Sequence, residues 1–294
     1  MRSIILTLFL MIAFSSFGQE DVGKKMAEFQ KAQSDPKAVP YGKNAAAGKF
    51  YDIRGFKMYC EIYGTGEPLL IIHGNGGSID NFIYQIPYFA KHYKVIIADS
   101  RAQGKSADTG DTLTYEMMAD DYAALLDALK IDSANVIGWS DGGINGILLA
   151  QRHPRKVKKL AITGANLAPD TTAVPQEIWD MVRPALAALS AKSAKTPQEK
   201  NALKLLRLLC EQPNIDPASL KNIQCPTLVI GGDHDVIKEE HTFLIYKNIP
   251  KAYLWILPGA GHSTPIIYAE DFNRVVERFF KNPFVKIEGE ARFM

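Results

Sequence analysis

The sequence predicts an α/β protein: a mostly parallel eight-stranded sheet with helices on both faces and a small helical cap. Three observations carry that expectation. Short β-prone runs alternate with helix-patterned segments along most of the chain. The run Pro68-Leu69-Leu70-Ile71-Ile72 is continuously apolar, as in a strand covered on both faces. The alternation breaks once, between Asn166 and Asn222, where the pattern is helical only.

The elements follow in order. Met1-Arg2-Ser3 carries one basic residue, and Ile4 to Phe14 is an apolar run of signal-peptide length. Ser15-Ser16-Phe17-Gly18-Gln19 then offers small residues suited to cleavage. Residues 1–19 therefore read as a signal peptide, and the protein as exported, periplasmic or extracellular. An uncleaved anchor is the alternative, although the run is short for crossing a bilayer. Residues 20–49 are polar and carry Pro36, Pro40 and an Ala-Gly patch, so they read as a tether with room for one short helix. Phe50 to Tyr63 gives two strands around a turn at Arg54-Gly55. After the strand at 68–72 come a helix at about 79–90 and a strand at 94–98. Thr112 to Lys130 is a long amphipathic helix, with Met117, Met118, Tyr122, Leu125, Leu126 and Leu129 near a 3.6 period. Strands follow at 134–139, 157–163, 226–231 and 252–257, and a last helix at about 266–280.

The core is thus residues 50–165 and 223–294. Residues 166–222 are an inserted cap with helices at 177–191 and 197–210, lying over the carboxyl edge of the sheet, where ligands of open α/β sheets bind. Within it, Leu167, Trp179, Met181, Leu186 and Leu205 are candidate pocket residues, or the core face of packed helices.

With 47% hydrophobic and 22% charged residues and a net charge of +2, the chain is ordinary globular protein without the basic stripe of a nucleic-acid binder. A small-molecule substrate is the expected partner, with no membrane contact once the signal is removed. The three cysteines, Cys60, Cys210 and Cys225, match no metal spacing. Cys60 reads as a buried apolar residue, a Cys210–Cys225 disulfide stays open, and no metal or cofactor is expected.

Gly138-Trp139-Ser140-Asp141-Gly142-Gly143 is G-x-S-x-G placed where a strand turns into a helix. Small residues suit a tight turn that exposes the serine hydroxyl, and the following helix aims N–H groups at it. A serine needs a base, and the base needs an orienting group. His262, in the glycine-rich loop after the last strand, is the candidate base; His73, His92, His153, His234 and His241 have structural or solvated contexts. Asp235, beyond the turn at Gly231-Gly232, is the candidate acid, with Asp233 as alternative. Oxyanion donors are expected from the backbone N–H of Asp141 and of Asn75 in His73-Gly74-Asn75-Gly76-Gly77. Trp139, beside the nucleophile, is a candidate substrate contact.

HGNGG at 73–77, DSRAQGKS at 99–106, GWSDGG at 138–143, GGDHD at 231–235 and GAGH at 259–262 together resemble the serine hydrolases of the α/β-hydrolase fold, over nearly all of Lys49 to Phe280. Ala102 stands where that family usually has the first glycine of D-x-R-G-x-G-x-S. Within the fold, GWSDGGI at 138–144 and TGAN at 163–166 are similar to valacyclovir hydrolase-like α-amino-ester hydrolases. That resemblance implies recognition of a substrate ammonium by Asp141. A serine nucleophile argues against the dehalogenases and epoxide hydrolases of this fold, which the resemblance associates with an aspartate there. The expected activity is hydrolysis of a small carboxylic ester through an acyl-enzyme. The same triad acting on a lactone, a C–C bond or an N-terminal amino acid is the alternative. A small-molecule binding protein without turnover is the alternative of another class.

Overall fold

The alternating strands assemble into one sheet because the central ones, those between residues 67 and 232, bury apolar side chains on both faces. The computed structural model describes residues 17–293, so residues 1–16 of the expected signal peptide lie outside it. The strands are β1 (Gly48–Ile53), β2 (Phe56–Tyr63), β3 (Glu67–Ile72), β4 (Tyr93–Ala98), β5 (Ala134–Trp139), β6 (Val157–Thr163), β7 (Thr227–Gly232) and β8 (Ala252–Leu257). Their spatial order is β1-β2-β4-β3-β5-β6-β7-β8. β1 and β2 pair antiparallel, as do β2 and β4; the remaining neighbours are parallel. The β1–β2 turn has Arg54 and Gly55 both at positive φ (43° and 87°), the conformation a tight two-residue hairpin requires.

In β3, Leu70 and Ile72 enter one core while Leu69 and Ile71 enter the other. The first core is closed by α3 (Tyr115–Ala128) and α4 (Asp141–Arg152), through Met118, Tyr122, Ile144 and Ile147. The second is closed by α2 (Gln85–Phe89) and α9 (Ala269–Lys281). In α9 the buried Phe272, Val276, Phe279 and Phe280 recur at helical spacing, and each such burial contributes roughly 1.5–3 kcal/mol. Thr114 caps α3 by accepting from the Met117 N–H.

Between β6 and β7 lie α5 (Gln176–Ala191) and α6 (Pro197–Glu211). α6 opens with a capping box, Thr196 with Glu199, and a proline in its first turn. It is fastened to the core by Asn201 Nδ2 donating to the Ala102 carbonyl (2.7 Å) and by Lys204 Nζ on buried Asp108 (2.9 Å). Cys60, Cys210 and Cys225 are free thiols, so the disulfide left open by the sequence is not formed.

Two helices depart from the expected order. Residues 17–34, read largely as tether, form α1 (Phe17–Ser34). Its stripe is only Val22, Met26 and Phe29, too sparse to stand out in a polar segment, yet it packs on Ile266 and Ile267. Phe29 is buried and meets Tyr84 edge-on at 5.7 Å. α7 (Glu239–Asn248) buries His241, Thr242 and Ile245 while Phe243 and Leu244 are exposed, so its apolar residues trace no clean stripe. The expected last helix breaks at Tyr268 into the short α8 (Thr264–Ile267) and α9. Residues 40–48 are clasped to the sheet by Glu61, fully buried, whose carboxylate accepts from the N–H groups of Gly42 and Asn44 and the hydroxyls of Tyr59 and Tyr63. Four donors satisfy a charge that burial would otherwise penalise. Among the described residues no helix is long and apolar enough to cross a membrane.

Candidate active site

β3 has β4 on one side and β5 on the other, so the chain order reverses at β3 and opens a crevice at the carboxyl ends of β3 and β5. The last β3–β5 pair, Ile72 with Gly138, sends the loop 73–77 and the turn at Ser140 out side by side.

Ser140 sits on the turn from β5 to α4 at φ 57°, ψ −122°, a conformation non-glycine residues rarely adopt, at a typical cost of about 1–3 kcal/mol. The turn is held by the Ser140 N–H on the Thr163 carbonyl (2.8 Å) and the Gly143 N–H on the Ser140 carbonyl (2.7 Å). It leaves no room at Gly142, where a Cβ would stand 2.1 Å from the Ile72 carbonyl oxygen. That contact is with backbone, so only glycine allows α4 to approach β3 this closely.

Three distant segments then meet. His262, in the loop after β8, places Nε2 2.9 Å from Ser140 Oγ and Nδ1 2.6 Å from Asp235 Oδ1. Asp235, after β7, is buried and also accepts from the Ile237 N–H (3.1 Å). With the carboxylate on Nδ1, the imidazole donates there and presents an acceptor nitrogen to the hydroxyl. Burial pulls the His262 pKa down, but the nearby Asp235 charge, its hydrogen bond and the more distant Asp141 outweigh this, and the net shift is upward. Gly164, at φ 62°, lets the ring pack flush, since a Cβ there would lie 2.7 Å from His262 Cε1. Trp139 donates from Nε1 to the His262 carbonyl (2.8 Å) and so ties the histidine loop to the elbow. Asp233, the alternative acid, is turned away: it accepts from exposed His234 (2.9 Å) and from the Ala260 N–H (3.1 Å).

The 73–77 loop lies against the nucleophile, with a notional Gly74 Cβ only 3.1 Å from Ser140 Cβ. Its shape is set from below. Fully buried His73 donates from Nδ1 to the Gly74 carbonyl (2.8 Å) and accepts the Ser100 N–H at Nε2 (2.9 Å). Burial pulls its pKa down to about 4, so it stays neutral and keeps both bonds. Gln103 Oε1 accepts the Gly76 N–H (2.6 Å). Asp99 accepts from the Ile79 and Lys105 N–H groups, and Arg101 forks onto Asp121 at 2.7 and 2.8 Å. The motif at 99–106 therefore supports the loop, and Ala102 adopts a left-handed conformation, φ 64°, in the region that favours glycine. Asn75 borders the cavity, and Asp141 opens α4, where the first N–H groups have no partner within the helix.

The Asp141 carboxylate is engaged within the protein. It is buried and accepts from Asn75 Nδ2 (2.9 Å), which also donates to the Leu205 carbonyl (3.3 Å). Burial pushes its pKa up to about 6, against the lowering effect of the Asn75 amide. Above Ser140 and His262 is a cavity of about 560 Å³. Trp139, Asn75, Ile178, Met181, Val182 and Leu209 line it, together with Val22, Met26 and Phe29 of α1. Of the expected pocket residues only Met181 is there. Leu167 and Leu205 pack in the first core, Trp179 packs with Ala173, Val174 and Ile237, and Leu186 is half-buried. α1 contributes a wall that its polar sequence does not announce; the spacing of Val22, Met26 and Phe29 is the one signal of it.

A wound, mostly parallel sheet with a serine elbow at its reversal point is the architecture of the α/β-hydrolase fold. A family model described as the alpha/beta hydrolase fold matches residues 67–192. The mouse (Mus musculus) serine hydrolase BPHL is 26% identical over 269 residues, covering 85% of this chain and 91% of that protein. A crystal structure of a hydrolase from Pseudomonas aeruginosa superposes with a TM-score of 0.70 at 23% identity, over 81% of this chain and all (100%) of the other. Est816, described as an N-acyl homoserine lactone degrading enzyme, superposes at 0.66 with 26% identity, over 79% of this chain and 100% of its own. The chain thus has the α/β-hydrolase fold and resembles hydrolases, among them one described as degrading N-acyl homoserine lactone.

Proposed function

We propose that the protein is an exported serine hydrolase that cleaves a small carboxylic ester through an acyl-enzyme on Ser140. The observation that carries this is the continuous chain from Ser140 Oγ to His262 (2.9 Å) and on to Asp235 (2.6 Å). In this reading Oγ attacks the acyl carbon as His262 Nε2 takes its proton. The oxyanion is received by the N–H groups of Asn75 and Asp141, each such donor being worth roughly 2.7–4 kcal/mol. His262 then protonates the departing alkoxide, and a water, deprotonated by the same nitrogen, releases the acid. Asp235 holds the imidazole tautomer and stabilises the imidazolium without taking the proton.

The likeness to Est816 favours a second substrate form, a lactone. It is a cyclic ester opened by the same steps, its leaving hydroxyl retained in the product. A fluorophosphonate should label Ser140, and a p-nitrophenyl short-chain ester should give a burst of nitrophenol. The folded protein remaining unlabelled and inert would refute the proposal. Export rests on the apolar run from Ile4 to Phe14 and the small residues after it. Recovery of the unprocessed chain in the cytoplasmic fraction would refute that part.

A further inference from the structure

We propose that α1 is a wall of the substrate site and that the site it encloses takes an uncharged ester with an extended apolar acyl group. This rests on the serine-hydrolase reading and adds the substrate class to it. The first observation is placement. Val22, Met26 and Phe29, at helical spacing, face the same cavity as Ser140 and His262. The helix is seated on Ile266 and Ile267, and pinned at its carboxyl end by Gln33 Nε2 on the Asp80 carbonyl (2.8 Å). All of these cavity-facing residues lie beyond the expected cleavage site near Gly18 or Gln19, so removal of a signal peptide leaves the wall standing.

The second observation is charge. Among the described residues lining the cavity there is no Asp, Glu, Lys or Arg; the titratable side chains are His262 and Tyr268. A cationic or anionic group drawn into this space would lose its hydration and find no formal opposite charge on the wall. Asp141, to which the resemblance assigns ammonium recognition, is buried with its carboxylate on Asn75 and is not among the residues lining the cavity. An apolar chain meets Val22, Met26, Ile178, Met181 and Leu209 and gains their contact. A volume of about 560 Å³ suits a ligand of small-molecule size rather than acetate alone.

The test uses the full chain, with p-nitrophenyl acetate, p-nitrophenyl octanoate and an aminoacyl p-nitrophenyl ester as substrates. Wild type should prefer octanoate over both others. Met26→Trp fills the cavity; kcat/KM for p-nitrophenyl octanoate should fall about tenfold or more relative to that for p-nitrophenyl acetate. Should that variant fail to fold, Val22→Phe narrows the same wall and should lower the octanoate-to-acetate ratio in the same direction. An unchanged ratio in a folded, labelled variant overturns the role of α1. A wild-type preference for the aminoacyl ester overturns the uncharged class. If the wild type is neither labelled nor active, the hydrolase reading fails separately. Calorimetric binding of the uncharged p-nitrophenyl octanoate, weakened by Met26→Trp, would then still support α1 as a wall, and binding insensitive to it would not.

Discussion

The floor and the roof of the cavity are held by different forces. On the floor, Ser140, His262 and Asp235 are linked by hydrogen bonds of 2.9 and 2.6 Å, and the backbone beneath them is locked by glycines and buried polar side chains. On the roof, Val22, Met26, Ile178, Met181 and Leu209 meet the same space with apolar side chains that offer van der Waals contact alone. Directional bonds fix positions to a few tenths of an ångström, which proton transfer requires. Apolar contact fixes shape and volume but tolerates exchange of side chains of similar size. The floor should therefore determine whether a bond is broken, and the roof which molecule is admitted.

The strongest break in that contrast is at the nucleophile. Ser140→Ala should abolish nearly all turnover, leaving roughly 10³–10⁴-fold over water from binding and the oxyanion donors. His262→Ala should cost about as much, and the double variant little more, because the two act as one unit; steady-state rates on one ester check this. Next is the orienting acid. Asp235→Asn should lower kcat by about 10⁴-fold, whereas Asp233→Asn should leave the rate near wild type. A loss confined to Asp233→Asn would transfer the role to Asp233.

Smaller, and diagnostic of the charge arrangement, is the pH profile. His262 must be neutral to accept a proton, and its pKa is raised above the ordinary 6.5. The acid limb of kcat/KM should therefore lie above pH 6.5, with activity lost as pH falls through it. Asp235→Asn removes the raising charge, so in its residual activity that limb should move to lower pH. A limb that stays in place would mean another group titrates. The smallest effect belongs to the roof: Met181→Ala should raise KM for a long-chain ester by up to about tenfold with kcat little changed. A comparable fall in kcat would show the roof taking part in positioning the reacting atoms.

The same contrast governs what the sequence makes legible. Floor residues are bound to local geometry: Gly142 has no alternative beside the Ile72 carbonyl, and Ser140, Asp235 and His262 each follow a strand whose apolar run marks it. The elbow, the acid and the histidine can thus be read in chain order. The roof has no such signature. Met181 and Trp179 belong to one amphipathic helix, yet one lines the cavity and the other is buried with Ile237, a difference set by how α5 is rotated on its neighbours. Asp141 follows the nucleophile directly, but which way its carboxylate turns depends on Asn75, distant in the chain. α1 was hidden because three apolar residues in a polar segment signal a helix only when Ile266 and Ile267 are there to receive them.

The buried Glu61 carboxylate has a mechanical corollary. By gripping Gly42 and Asn44 it anchors the chain just after α1, while Gln33 ties down the last turn of that helix. Nearer its amino-terminal half the same helix is held by Val22 and Met26 on Ile266 and Ile267 and by Lys25 over the Tyr268 ring (5.4 Å), so polar ties at one end and apolar and cation–π contacts at the other keep the wall in register with the histidine loop.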